Sequence, residues 1–129
     1  MKGQTSMEFI IFVGVMLMLF SLASYVAVTS LNDITTESEI TGARNVASTL
    51  ASEINLAKEV GTGYKHTFSL PAYLYSSTNY SINLSDSRFV RVEWKNRFYL
   101  LPTIAENVTG TAKSDGNVIK NIDGVIRFE

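Results

Sequence analysis

The sequence predicts an α+β fold in which one long N-terminal α-helix precedes a small antiparallel β-rich domain. Three observations lead to this prediction. Residues 9–32 contain no charged side chain, apolar residues then recur at helical spacing up to residue 60, and alternation typical of strands begins only beyond Gly63. A length of 129 residues allows one small domain with an appendage.

Composition excludes several classes of function. The chain has 11 Lys and Arg against 12 Asp and Glu, so no basic excess is available to neutralise the phosphates of a nucleic acid. It has no cysteine, which excludes disulfides, thiolate catalysis, zinc fingers and iron–sulfur clusters. The single histidine, His66, stands among weak ligands and is interpreted as structural. No nucleophile elbow or phosphate loop accompanies the serines, so we expect no enzymatic activity, no cofactor and no metal.

The first element is the apolar segment Phe9–Val28, which reads FIIFVGVMLMLFSLASYVAV. A helix of about 20 apolar residues crosses the roughly 30 Å of bilayer hydrocarbon. Three interpretations are open: a cleaved secretory signal, a plain signal anchor, or an anchor that also assembles with other helices. Residues 23–27 do not place small side chains at both positions that signal cleavage requires. Lys2 precedes the segment and most charge follows it, which predicts an N-terminus inside the cell and residues after Asp33 outside.

The helix continues beyond the apolar segment with a different pattern. Residues 33–60 are amphipathic, with one apolar stripe that recurs every three or four positions. The stripe consists of Ala43, Val46, Ala47, Leu50, Ile54 and Ala57. Gly61 and Gly63 supply the left-handed cap that ends a helix, so the predicted helix comprises residues 4–60. β-Branched residues and Gly42 lower helix propensity just before the stripe, which makes a kink there the alternative to one unbroken helix.

Residues 61–129 have the pattern of a β-rich domain. Two hairpins are predicted, over residues 90–101 and 117–129, with turns at Lys95-Asn96 and Asp123-Gly124. A further strand is predicted from the alternation of Tyr80, Ile82 and Leu84. A domain of this size without disulfides buries little core on its own, so the apolar stripe of the helix is its expected partner.

Other side chains of the β-rich domain are assigned by their surroundings in the sequence. The aromatic residues expected in its core are Trp94, Phe98 and Tyr99. The segment Tyr73-Leu74-Tyr75 is expected to be exposed and to offer outward contacts. Basic residues cluster on the first hairpin, where charge discourages stray strand pairing. They are Arg88, Arg91, Lys95 and Arg97.

Three Asn-X-Ser/Thr sequons lie in the C-terminal half and agree with its predicted location outside the cell. They begin at Asn79, Asn83 and Asn107, and each is a candidate glycosylation site. Chance also produces such triplets in a chain rich in asparagine, serine and threonine.

The start of the chain carries its most specific motif. Residues 2–9 read Lys-Gly-Gln-Thr-Ser-Met-Glu-Phe and lead directly into the apolar segment. The pattern Lys-Gly-Gln-x-Ser-x-Glu-Phe before a long apolar helix resembles the class III signal peptide of archaeal type IV pilins. The resemblance covers residues 2–9 in motif and about the first 60 in architecture.

This resemblance implies a type IV pilin-like protein whose leader, residues 1–3, is removed by prepilin peptidase between Gly3 and Gln4. It implies that residues 9–28 anchor the chain before assembly and form the filament core afterwards, with assembly contacts by Gln4, Glu8 and Phe9. The side chains expected in that core are Phe9, Ile10, Phe12, Gly14, Leu17, Phe20, Ser21 and Ser24.

A functional role for Glu8 has a physical basis. A carboxylate costs about 2.5–3.5 kcal/mol at the centre of a bilayer helix, and one packed among protein helices must be neutralised or paired. The role that the resemblance implies for Glu8 is to pair with the α-amino group that cleavage after Gly3 would create on a neighbouring subunit, which would set the axial stagger. Two alternatives stay open. Either Glu8 marks the edge of the lipid near a helix N-terminus, where an acid is favoured, or Gln4 cyclises to pyroglutamate and leaves Glu8 hydrogen-bonded or protonated.

The resemblance therefore implies a structural subunit of an archaeal type IV pilus-like surface filament that serves adhesion or surface attachment. Its expected partners are identical subunits in a helical homopolymer, prepilin peptidase, the pilus assembly ATPase with its membrane platform, and membrane lipid before assembly. Its expected location is the cytoplasmic membrane as a single span, and then the cell-surface filament. The alternatives are a minor pilin-like protein and a monomeric membrane-anchored module that binds an extracellular ligand.

Overall fold

The computed structural model describes residues 2–84 and 88–129 and confirms the predicted α+β fold, with one long N-terminal helix followed by a small, mainly antiparallel β domain. Helix α1 comprises Lys2–Val60. The strands of the described residues are β1 Lys65–Phe68, β2 Ser81–Asn83, β3 Phe89–Trp94, β4 Arg97–Pro102, β5 Val108–Thr109, β6 Asn117–Ile122 and β7 Val125–Phe128. Both predicted hairpins are present, as β3–β4 and β6–β7.

The chain divides into two compact units, of which the first comprises the residues up to Thr36 and the second comprises Glu37–Glu129. The second unit, called the head unit below, includes the C-terminal part of α1 as well as the strands. The predicted domain boundary at residue 61 is the point where the helix gives way to the strands. The compact unit that contains the strands begins earlier, at Glu37, within the helix. The reason is the apolar stripe of α1, whose six side chains are all buried and supply core that the strands lack by themselves.

Helix α1 ends at glycines, as predicted. The φ of Gly61 is 88°, in the left-handed region that glycine enters without steric cost. The Gly61 N–H donates a hydrogen bond to the Ala57 carbonyl at 3.3 Å, which satisfies one of the last carbonyls of the helix. The Gly63 N–H donates to the Asn121 carbonyl at 3.0 Å, so the residues after the helix are tied directly to β6.

Helix α1 continues through Gly42 without a break. The glycine serves a different purpose, since a Cβ at this position would lie 2.4 Å from the carbonyl oxygen of Leu74. The loop between β1 and β2 therefore packs on the backbone of the helix. The Leu74 side chain is buried, while Tyr73 and Tyr75 are exposed. The prediction of an exposed segment is correct for the two tyrosines and wrong for Leu74, because the loop turns inward at the space that Gly42 leaves.

The strands form two sheets. The four-stranded sheet has the order β1-β6-β7-β5, and the three-stranded sheet has the order β2-β3-β4. All pairs are antiparallel except β5 with β7, which is parallel. No sequence pattern indicates the parallel pair, because β5 has only two residues and two residues cannot show alternation.

The register of β3 with β4 decides which aromatic side chains enter the core. Trp94 is buried, and Tyr99, which pairs with Val92, is half-buried against the core. Phe98 pairs with Glu93 on the other face of the sheet and is 56% exposed. The prediction that Phe98 belongs to the core is therefore wrong, because adjacent strand residues point to opposite faces and Tyr99 takes the inner one.

Candidate membrane and assembly segment

The apolar segment of α1 is exposed along its whole length. Every residue from 9 to 28 is exposed, and the bulky side chains of the predicted filament-core set are each 59–71% exposed. They are Phe9, Ile10, Phe12, Leu17 and Phe20. Soluble monomers rarely expose so large a continuous apolar surface. By length and composition, α1 is the one helix within the described residues that is able to cross a membrane, and it is consistent with membrane anchoring.

The segment also carries small and polar residues. A Cβ at Gly14 would meet no atom of the described residues within 4 Å, so an approaching helix would meet backbone there rather than a side chain. Ser21 and Ser24 are exposed on the same segment. At its end, the Thr29 hydroxyl donates a hydrogen bond to the Val26 carbonyl at 2.9 Å, which satisfies this hydroxyl without water.

The residues of the predicted processing and assembly site lie at the start of α1. Gly3, Gln4 and Glu8 are helical and exposed. Gln4 and Glu8 are one helical turn apart, so they share a face of the helix. The first N–H groups of a helix have no partner within the helix, and its N-terminus favours a nearby negative charge. Met1, part of the predicted leader, lies outside the described residues.

Comparison of the chain with protein-family models, curated proteins and solved structures found no match. Its function therefore has to be inferred from its own residues. Two features bear on that function most directly: the exposed apolar helix, and the short motif at the start of that helix.

The three sequon asparagines lie in the head unit and are all exposed. Asn79 precedes β2, Asn83 is the last residue of β2, and Asn107 precedes β5. Their side chains are therefore accessible to a modifying enzyme. Ser85, which completes the second sequon, lies outside the described residues.

The head unit also contains a buried carboxylate that the sequence analysis missed. Glu39 of α1 is 3% exposed, and its carboxylate accepts hydrogen bonds from the Thr78 hydroxyl at 2.8 Å and from the Lys95 ammonium at 2.6 Å. The Lys95 side chain is 62% exposed, as a solvated hairpin requires, but its ammonium is also paired with this carboxylate of the helix. No local pattern could reveal these contacts, because the partners lie 39 and 56 residues from Glu39 in the sequence.

The surroundings of Glu39 favour its ionised form. The hydrogen bond from Lys95 lowers the pKa of Glu39, burial opposes this shift, and the hydrogen bond from Thr78 lowers the pKa further. The buried indole N–H of Trp94 has no hydrogen-bond partner within the described residues. The Glu39 carboxylate therefore carries a negative charge at neutral pH.

Acid is expected to destabilise the head unit through Glu39. Because folding lowers the pKa of Glu39 from its ordinary value of 4.5, the unfolded chain binds this proton more tightly than the folded chain. The resulting stabilisation is complete above about pH 5 and is lost as the pH falls through the lowered pKa of the folded state. We expect the free energy of unfolding of the detergent-solubilised chain, followed by the fluorescence of Trp94, to decline over this range.

The substitution Glu39→Gln should reduce this pH dependence, and Glu59→Gln, on an exposed part of the same helix, should leave it unchanged. A smaller decline should persist in Glu39→Gln, because the neighbouring Lys120 also lowers the pKa of Glu129. An acid decline of the same size in Glu39→Gln and in the unaltered chain would contradict the assignment.

A second polar cluster joins α1 to the first strand. The Glu53 carboxylate lies 2.9 Å from His66 Nδ1 and accepts a hydrogen bond from the Tyr64 hydroxyl at 3.4 Å. Burial, together with the charge of Glu53, raises the pKa of Tyr64. His66 therefore has a structural partner. Among the described residues, no group of three or more His, Asp or Glu side chains is arranged to hold a metal ion.

Proposed function

We propose that this chain is the structural subunit of an archaeal type IV pilus-like surface filament. It is made as a prepilin, cut by prepilin peptidase between Gly3 and Gln4, held in the membrane by residues 9–28, and polymerised with identical subunits. The observation that supports the proposal most is the motif of residues 2–9 at the start of an exposed apolar helix. The head units form the outer surface of the filament, carry glycans at the sequons, and serve adhesion or surface attachment.

Assembly in this proposal moves the apolar segment from lipid into contact with other helices. Each bulky side chain gains about 1.5–3 kcal/mol when it leaves water, but leaving lipid brings no such gain because lipid tails are equally apolar. The contact free energy must therefore come from close packing, which Gly14, Ser21 and Ser24 permit. Extraction from the membrane also needs external work, and the pilus assembly ATPase with its membrane platform supplies it.

Glu8 sets the position of each subunit in the proposed filament. Once the helices pack on one another, its carboxylate is removed from the lipid edge and must be paired or neutralised. The α-amino group that cleavage creates at Gln4 is the matching partner on a neighbouring subunit. Only one axial stagger brings the two groups together, so the pair selects that stagger.

The decisive experiment examines surface material sheared from cells that produce the chain. Negative-stain images and mass spectrometry of the subunit should show abundant filaments whose subunit begins at Gln4. A surface subunit that begins at Met1 or Lys2 contradicts the proposal. A solitary, uncut chain that stays in the membrane supports the membrane-anchored binding module instead, and filaments that contain only traces of this chain support the minor pilin-like protein.

The substitution Glu8→Ala is expected to leave cleavage intact and to lower the yield of filaments at least tenfold. Each loss of about 1.4 kcal/mol in contact free energy lowers the equilibrium constant for association about tenfold. The measurement is the ratio of sheared filament to membrane-bound mature subunit. The matched control is Glu37→Ala, which removes an exposed acid of the same helix beyond the apolar segment and should not change this ratio. If Glu8→Ala assembles as well as the control, Glu8 has no pairing role, although the filament assignment stands.

A further inference from the structure

One face of the three-stranded sheet carries an open groove with a volume of about 520 Å³. This volume falls within the range of about 300–1,000 Å³ that is typical of sites for small molecules. The groove is lined by Ser81 of β2, Arg91 and Glu93 of β3, and Phe98 of β4. The strand register places these residues next to one another, since Glu93 pairs with both Ser81 and Phe98.

The lining combines an aromatic ring with charged groups held in place. Phe98 is 56% exposed, and the guanidinium of Arg91 lies 4.6 Å from the centre of its ring. Arg91 also forms an ion pair with Glu93, so donors and acceptors stand in defined positions over one face of the ring. A purely apolar ligand would remove these charges from water without compensation. A sugar fits both parts, because it has an apolar C–H face for the ring and hydroxyl groups for Arg91 and Glu93.

The chain carries an attachment point for a sugar at this groove. Asn79 begins the sequon Asn79-Tyr80-Ser81, lines the groove, and is exposed. It lies two residues before Ser81, just ahead of the first residue of β2. The other sequons differ, because neither Asn83 nor Asn107 lines the groove.

We propose that an N-linked glycan on Asn79 folds back into this groove, stacks on Phe98, and forms hydrogen bonds with Arg91 and Glu93. The proposal rests on the extracellular location assigned under the proposed function. The glycan then stabilises the sheet as well as covering its surface. Strand β2 has only three residues, and a sugar attached just before it and bound to β3 and β4 holds it against the sheet.

The test uses the full-length chain from a cell that glycosylates it, purified in detergent. Glycopeptide mass spectrometry should find Asn79 occupied, and NMR should show protons of its first sugars shifted upfield by the ring current of Phe98. Phe98→Leu keeps an apolar side chain without the aromatic ring and should abolish the upfield shift while the glycan stays attached. Asn79→Gln should lower the thermal midpoint of unfolding in the unaltered chain and have no such effect in the Phe98→Leu background.

Asn107→Gln is the matched control, since it removes a sequon away from the groove and should lower the midpoint equally, or not at all, in both backgrounds. Three results would overturn the proposal: an unoccupied Asn79, sugar protons without the upfield shift, or an Asn79→Gln effect that does not depend on Phe98. Binding of a free oligosaccharide to a groove whose Asn79 is unoccupied would also overturn it and assign the groove to an external carbohydrate.

The filament proposal fails independently of the glycan proposal. An occupied and stacked Asn79 on a chain that forms no filaments refutes the proposed function and leaves the glycan site in place. Filaments whose subunit begins at Gln4 but carries no glycan on Asn79 support the proposed function and refute the glycan proposal.

Discussion

Truncation of Leu50 to alanine is expected to lower the free energy of unfolding of the head unit by about 2–5 kcal/mol. Leu50 lies at the middle of the apolar stripe of α1 and has no exposed surface. Its removal loses the transfer free energy of the deleted atoms and leaves a cavity that close-packed neighbours fill only in part. Since small domains are stable by only about 5–15 kcal/mol, this single change removes a large fraction of the total.

The measurement is denaturant unfolding of the full-length chain in detergent, followed by the fluorescence of Trp94, the only tryptophan. Trp94 is buried in the same core cluster as Leu50, so it reports on the unit that the substitution affects. The matched control is Leu56→Ala on the same helix, where the leucine is 45% exposed and the loss should stay within about 0.5 kcal/mol. A loss below about 1 kcal/mol for Leu50→Ala would show that the stripe is not the core of the head unit.

The parts of the fold that sequence patterns predicted are those specified by neighbouring residues. The apolar stripe has helical period, and each of its members is buried. The hairpin turns at Lys95-Asn96 and Asp123-Gly124 have positive φ at all four residues, as two-residue hairpin loops with the required twist do. In each case the whole signal lies within one continuous stretch of the chain.

The parts that the patterns missed depend on residues far apart in the chain. Neighbouring residues do not reveal that Gly42 contacts the Leu74 carbonyl, and helix propensity alone therefore marks this glycine as a weak point of the helix. They also do not reveal that Glu39 is buried and bonded to Thr78 and Lys95. The assignment of Phe98 failed because hydrophobicity alone does not tell which face of a strand a residue occupies. The candidate assembly site is different from these features in that it can be proposed from the sequence alone. Its motif lies within residues 2–9 and depends on no long-range contact. The groove beside Asn79 needs three strands in register, and no sequence signal could place Phe98 beside that sequon.

Gly42→Ala is expected to destabilise the head unit by about 1–3 kcal/mol, which is the usual cost of inserting an extra methyl group into a packed site. The sign is opposite to that of an open helical position, where alanine is about 0.5–1 kcal/mol better than glycine. The new Cβ would lie 2.4 Å from the oxygen and 2.9 Å from the carbon of the Leu74 carbonyl. These are backbone atoms, so no rotation of a side chain can relieve the overlap.

The loop cannot retreat from this methyl group without further loss. The Leu74 N–H donates a hydrogen bond to the Thr78 carbonyl at 3.0 Å, and the Thr78 hydroxyl is bonded to Glu39. A shift of Leu74 therefore weakens a contact of the buried carboxylate, and Gly42→Ala should reduce the acid dependence of unfolding as well as the stability at neutral pH. Gly14→Ala is the matched control, since a Cβ there meets nothing within 4 Å, and it should leave the unfolding of the head unit unchanged. An unchanged or higher stability for Gly42→Ala would mean that the loop does not rest on the helix at this point, and the link from Leu74 through Thr78 to Glu39 would then have to be abandoned.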